Sequence, residues 1–277
     1  MHLKGKIKQF RFACTLGLAI LLGSVSFGQS VLLVSNNSSD MDYFQNQLGD
    51  SWTNNSGALP SFTTWDADNT PTLDYVENFD LVLLCENGIF GNASNIGNIV
   101  HEYVLGGGNL IIGTFYWQNR TGGVSGDWGN LESIDPLYDG ACDYGPANLG
   151  TVLDHPLTTG LNSLYCSSYR GGPQTIRDNA TCVAWWSDGD PLIVFNQPGG
   201  TITAITAFTA HGKYSGISGD FYRLWENAIT WTMDSGSSQP NNPPTFTSTP
   251  LTTIDEDSEY SYTITTADDD GDAVTVS

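Results

Sequence analysis

Three sets of side chains in this sequence have the types and spacing for chemistry. The first is an acidic run, Asp268, Asp270 and Asp272. Alternate carboxylates offer several hard oxygens to one ion, which is what calcium takes. The plainer account is a solvated acidic turn. The second set is Glu86, His155 and His211. A carboxylate and two imidazoles supply a general acid and base for hydrolysis if the fold brings them together. His155, in Asp154-His-Pro156, also reads simply as part of a structured turn. His211, in Ala210-His-Gly-Lys213, follows an apolar run, where a loop reaches a cleft. The third set is Tyr116-Trp117, at the end of another apolar run. Rings there either contact a ligand or join the core. Cys85 precedes Glu86, but a strand-end cysteine is more simply a disulfide partner or a buried thiol than a nucleophile. No Cys-x-x-Cys spacing occurs, which argues against a cysteine metal site.

The elements that must position these residues centre on Asp80–Trp117. Asp80-Leu-Val-Leu-Leu-Cys85 is a strand, Asn95–Val104 a helix stopped by Gly106, Gly107 and Gly108, and Asn109–Phe115 a second strand. Apolar runs without alternation predict strands buried on both faces, hence a parallel sheet. Upstream, Val31–Ser35 is a strand and Met41–Leu48 a helix capped by Ser39 or Asp40. Phe62–Asp66 is a strand and Thr72–Asn78 a short helix behind Pro71. This alternation predicts an α/β fold, a doubly wound and mostly parallel sheet with right-handed crossovers. Gln118–Gly140 reads as a long loop over the carboxyl ends of the strands. Leu149–Leu153, Cys182–Trp186, Pro191–Phe195 and Thr201–Ala207 read as strands of an antiparallel extension, and Asp220–Trp231 as a closing amphipathic helix.

The chain has 277 residues, enough for one α/β domain and a smaller piece. Residues 1–28 read as a secretory signal peptide. Lys4, Lys6, Lys8 and Arg11 precede the apolar run Ala13–Leu22, and small residues sit at the cleavage position. Those are four of the nine Lys and Arg residues, and none of the thirty acids lies there. The mature chain therefore carries five basic and thirty acidic side chains, a net charge of −25. Such a surface excludes nucleic acid and anionic membranes as partners and suits a secreted or cell-surface protein with no integral membrane segment. Cys85, Cys142, Cys166 and Cys182 remain after cleavage. In an exported chain they allow two disulfides, with Cys142–Cys166 the first pairing to test.

The domain reads as residues 29–234, followed by a Ser, Asn and Pro-rich linker at 235–244. In residues 245–277, Tyr260, Tyr262 and Ile264 alternate with Ser261, Thr263 and Thr265, the pattern of a half-buried strand. Some thirty residues are too few for an independent core, so this piece reads as the front of a longer repeat.

These residues carry two resemblances. Val31–Met233 resembles the class I glutamine amidotransferase-like superfamily, in particular its secreted and trehalose-utilisation-like branches. The matching segments are Val31-Leu-Leu-Val34, Tyr75 with Asp80-Leu-Val-Leu-Leu84, Tyr103-Val-Leu-Gly-Gly-Gly-Asn-Leu-Ile-Ile112, His155-Pro-Leu157 with Gly160, and Arg223-Leu-Trp-Glu-Asn-Ala-Ile-Thr-Trp231. The resemblance implies a flavodoxin-like sheet and a nucleophilic cysteine on a sharp turn after the strand equivalent to Leu110–Thr114. Here the turn reads Gly113-Thr-Phe-Tyr-Trp117, without a thiol, and the family's late His and Glu pair is not evident. The tail resembles bacterial cadherin-like and immunoglobulin-like repeats through Asn242-Pro-Pro244, Ile254-Asp-Glu-Asp257 and Asp268-Asp-Asp-Gly-Asp272. That resemblance implies a β-sandwich and calcium held by Asp268, Asp270, Asp272 and Glu256.

Two functions of different kinds follow as expectations. One is a surface protein of adhesin type, whose amidotransferase-like domain binds an extracellular glycan or protein without catalysis, with Glu86, Tyr116, Trp117, His155 and His211 as contacts. The other is an extracellular hydrolase working in the cleft at the strand ends through Glu86, His155 and His211. A purely architectural spacer is the third possibility.

Overall fold

The computed structural model of the protein describes residues 29–52, 57–85, 87–88, 90–117, 128–140, 142–143, 145–172, 174–236, 245–248 and 261–267. Residues 1–28, on which the signal-peptide reading falls, and Glu86, Glu256, Asp268, Asp270 and Asp272 lie outside them.

The first half is a run of parallel strands and helices. Strands β1 (Ser30–Ser35), β2 (Ser61–Asp66), β3 (Leu81–Cys85) and β4 (Leu110–Gly113) alternate with helices α1 (Ser38–Ser51), α2 (Leu73–Val76) and α3 (Ala93–Leu105). All of Leu81–Cys85 and Leu110–Gly113 is buried, as expected for central strands covered on both faces. The residues alternate between two cores. Val31, Leu33, Leu81 and Leu83 join Met41 and Phe44 of α1, whereas Leu32, Val34, Val82 and Leu84 join Val76 of α2 and Ile96 and Val100 of α3. Each such aliphatic side chain contributes about 1.5–3 kcal/mol by leaving water. Helix α1 starts earlier than the sequence suggests. Asn37, rather than Ser39 or Asp40, is its cap, and its Oδ1 accepts from the Asp40 amide at 3.3 Å. Gly97 in α3 has a steric reason, since a Cβ there would come within 1.8 Å of the Trp128 carbonyl oxygen.

The second half supplies β5 (Cys142–Asp143), β6 (Ala147–Val152), β7 (Leu164–Cys166), β8 (Arg170–Gly171), β9 (Thr181–Trp186), β10 (Pro191–Asn196), β11 (Ile202–Ile205) and β12 (Ile217–Gly219). Two helices close it, α4 (His211–Tyr214) and α5 (Phe221–Gly236). Ten strands form one sheet in the order β12-β7-β6-β9-β10-β11-β4-β3-β1-β2. The expected antiparallel extension is corrected in one respect. β11 lies parallel to β4, with Ile202 beside Leu110, and is the fifth parallel strand. The antiparallel part begins beyond it with β10, β9, β6, β7 and β12. α5 packs Leu224, Trp225, Ala228 and Ile229 into the same core as α1.

The Cys142–Cys166 pairing is also corrected. Cys166 is a free buried thiol. It sits in β7 beside Ala147 and Ile217, whereas Cys142 sits in β5, which pairs with β8 in a separate two-stranded sheet. In the tail, β13 (Thr245–Phe246) pairs antiparallel with β14 (Thr266–Ala267). Residues 261–265, expected to be strand, are not, and Ile264 is 47% exposed, because this short piece has no core to bury it. Among the described residues, no helix is long and apolar enough to cross a membrane.

Candidate functional site

In parallel sheets of order 2-1-3-4-5, ligands sit at the carboxyl ends of the strands, where the order reverses between β1 and β3. In this protein that end gathers segments from four places. They are Asn36 to Asp40 after β1, Asn87 and Gly88 after β3, Thr114 and Phe115 after β4, and Thr206 to Ser215 after β11. Gly88 N donates to Asn36 Oδ1 at 3.3 Å and ties the first two together.

Asp40 is the centre of this junction. Its carboxylate is fully buried. Oδ1 accepts from Lys213 Nζ at 2.8 Å and from Tyr214 Oη at 2.5 Å, and Oδ2 accepts from Asn87 Nδ2 at 2.6 Å. A buried carboxylate is tolerated only when so compensated. Lys213 Nζ also donates to Ser39 Oγ at 2.7 Å. Its hydrogen bond to Asp40 raises its pKa, and burial followed by Asp40 raises that of Tyr214. The loop after β1 is thus fastened to the segment after β11 through one ion pair.

An aromatic wall stands beside it. Tyr169, in the left-handed region at φ 58°, stacks on Tyr214 with centroids 5.7 Å apart and meets Phe115 at 5.7 Å. Phe115 stacks on Phe208 at 5.6 Å. Phe115 is 2% exposed, so the turn after β4 points an aromatic ring into the core where the resemblance would place a nucleophile. Cys85 is not at the surface either. It is fully buried, its Sγ 2.8 Å from Thr209 Oγ1 and 3.8 Å from the Thr114 carbonyl oxygen.

His211 is fully buried at the start of α4, with Nδ1 2.7 Å from Ser215 Oγ. Burial lowers its pKa to about 4, so the ring is neutral. Ser215 lines a cavity of about 420 Å³ between α1 and the α4–β12 segment, with Tyr43, Gln47, Gly212 and Tyr222 among its walls. Gly212 keeps that wall open, since a Cβ there would meet Tyr43 Oη at 2.7 Å.

The other expected contacts lie elsewhere. His155 caps the short 3₁₀ turn Pro156–Thr158 and packs on Phe195 and Trp231, with centroids 5.1 and 5.0 Å away. His211 packs on Phe221, at the start of the helix that ends beyond Trp231. Ten helical residues span about 15 Å, so the two histidines are not in reach of one another. His155 belongs to the opposite, amino-terminal side of β11, where Phe195 pairs with Thr203. Tyr116 and Trp117 are 0% and 1% exposed. Tyr116 stacks on Trp128 at 4.7 Å, so both rings are core in this structure rather than ligand-facing. Near them Asp135, 1% exposed and paired with Arg177 at 2.8 Å, has its pKa raised to about 7 because burial outweighs the guanidinium.

Among the described residues, no group of His, Cys, Asp or Glu could hold a metal. The side chains gathered at this end that the sequence did not announce are Asp40, Lys213, Tyr214 and Ser215. One signal was available: Lys213 is the only lysine after Lys8.

Comparison with known proteins places the fold. No family model matches the chain, and no curated protein does. Solved structures do. A cytoplasmic protein of Salmonella typhimurium LT2 has a TM-score of 0.54 at 14% identity, over 76% of this chain and 100% of that one. A second cytoplasmic protein of Salmonella typhimurium has a TM-score of 0.54 at 17% identity, over 73% of this chain and 98% of its own. A protein of Bacteroides uniformis described as ThuA-like has a TM-score of 0.51 at 11% identity, over 74% and 91%. At such identities the likeness is one of fold. The α/β part of this chain shares its fold with these three proteins, one of which is described as ThuA-like.

Proposed function

We propose that the protein is exported and that its α/β domain is a binding module of a surface or adhesin-type protein, with no amidotransferase chemistry. The observation that carries this reading is the turn after β4. Phe115 is packed between Phe208 and Tyr169, and the turn has no thiol to attack a substrate. Thiol catalysis needs an accessible cysteine with a depressed pKa beside a base, and Cys85 is fully buried. The surface presented by Lys213 and Tyr214 over the buried Asp40 carboxylate receives an extracellular glycan or protein. In the tail, Asp268, Asp270, Asp272 and Glu256 take calcium as oxygen ligands, which stiffens the repeat that begins there.

The test uses the chain from Gln29 to Ser277, secreted from a bacterial host. It is probed for glutaminase activity, for capture on an array of glycans and matrix proteins, and for calcium binding by calorimetry. Release of ammonia from glutamine would overturn the non-amidotransferase reading. Unchanged calcium heat after Asp270→Asn and Asp272→Asn would remove the metal from the tail. In the alternative hydrolase built from Glu86, His155 and His211, the two histidines pack at different ends of α5, and Glu86 lies outside the described residues.

A further inference from the structure

We propose that Ser215 and His211 form a nucleophile–base pair that transfers acyl groups from small uncharged esters bound between α1 and the α4–β12 segment. The proposal rests on the reading of the carboxyl-end crevice as the ligand site, and not on export or calcium.

The geometry comes first. Ser215 Oγ lies 2.7 Å from His211 Nδ1, within the distance at which a base accepts a nucleophile's proton. The bond is not needed to finish the helix, because the Ser215 backbone N–H already closes the turn on the His211 carbonyl at 3.0 Å. The imidazole is fully buried, and Ser215, half-buried, lines the cavity of about 420 Å³. The hydroxyl is thus the outlet through which a buried base meets a ligand. The backbone of Ser168 and of His211 itself lies close enough to the ring to favour its protonated form, against the larger effect of burial. The proposal assigns the imidazole proton to Nε2, leaving Nδ1 to accept.

The cavity selects the substrate class. Its lining has hydroxyl, amide and aromatic groups from Tyr43, Gln47, Ser215, Ser218 and Tyr222, and no charged side chain. A neutral ester of small size fits that chemistry, whereas an anion finds no cationic partner there. In the first step Ser215 Oγ attacks the ester carbonyl carbon and its proton passes to His211. The tetrahedral oxyanion faces the polar wall of the cavity, to which Tyr43 and Gln47 belong. The C–O bond to the alcohol then breaks, and the alcohol leaves with the proton from His211. Water repeats the sequence on the acyl-serine, which regenerates the hydroxyl and releases the acid.

The test treats the full chain with diisopropyl fluorophosphate and locates the adduct by peptide mass spectrometry, beside turnover of p-nitrophenyl acetate. An adduct on Ser215, absent in Ser215→Ala, is expected. Labelling slows about 100-fold or more in His211→Gln. If that variant does not fold, the pH profile decides. Because His211 is neutral down to about pH 4, wild-type labelling stays flat above about pH 5 and falls below it. No adduct, an adduct elsewhere that survives Ser215→Ala, or equal ester turnover by Ser215→Ala overturns the pair. Capture of a glycan or protein without an adduct overturns this proposal and spares the binding reading. An adduct without capture does the reverse.

Discussion

The two halves of the ten-stranded sheet use buried charge differently. In the antiparallel half, Arg170 is the buried partner, 2% exposed, with Nε donating to the Gly145 carbonyl at 2.9 Å and the guanidinium clasping Asp188 and Asp190 in the β9–β10 turn. In the parallel half, the carboxylate is the buried partner and the cation, Lys213, stands at the rim. A planar guanidinium with several donors can be satisfied inside a scaffold. A lysine at a mouth keeps part of its ammonium toward solvent, where a ligand can compete for it. One half is fastened shut, and the other is fastened in a way that leaves a chemical face outward.

The largest effect should come from breaking the scaffold clasp. Arg170→Met leaves two carboxylates without their cation and should cost about 3–5 kcal/mol, read by urea denaturation. Asp40→Asn should cost less, about 1–3 kcal/mol, because Lys213 can turn to water. It should also free the β1 and β11 loops from one another, read as faster amide exchange at Asn36–Asp40 and Lys213–Ser215. Equal costs for the two variants would erase the contrast.

A pH series sharpens it further. Asp135 is raised to about 7 by burial. Its folded state holds the proton more tightly than the unfolded chain, so this group's stabilisation is complete below about pH 4 and is lost as pH rises through about 7. His211 is lowered to about 4 by burial. Its stabilisation is present above the unfolded value of about 6.5 and is lost as pH falls toward 4. The two slopes oppose one another between about pH 4 and 6.5. Asp135→Asn should remove one falling component and leave that of Asp139, which burial raises to about 6, against the rising one of His211, so stability should fall less steeply with pH across that window. An unchanged profile would show that Asp135 stays ionised beside Arg177. The smallest effect is expected at the cap of α1, where Asn37→Ala should cost about 1 kcal/mol.

Much of the parallel half was legible because its strands are buried on both faces and carry their signal locally. Val31–Val34, Leu81–Cys85 and Leu110–Ile112 need no partner to be recognised. The direction of β11 was not legible, since Thr201–Ala207 reads the same whether its neighbour runs with it or against it. The site was harder still. Asp40 looks like a helix cap when its local sequence is read alone. Its function as a buried acceptor depends on Lys213 and Tyr214, which no periodicity links to it. Tyr116 and Trp117 misled for a related reason. The end of a central strand is where ligands bind, but there Trp128 stacks on Tyr116 and both Tyr116 and Trp117 lie in the core.

The position of β11 also governs the order in which the molecule can be assembled. Leu110 pairs with Ile202, so the central strand β4 waits about 90 residues for its second neighbour while the whole antiparallel half is laid down in between. An emerging chain cannot complete its parallel sheet until α5 has nearly arrived. Such long-range closure slows folding and leaves the edge of β4 open meanwhile. The sheet thus resists premature completion until β11, its fifth parallel strand, is delivered.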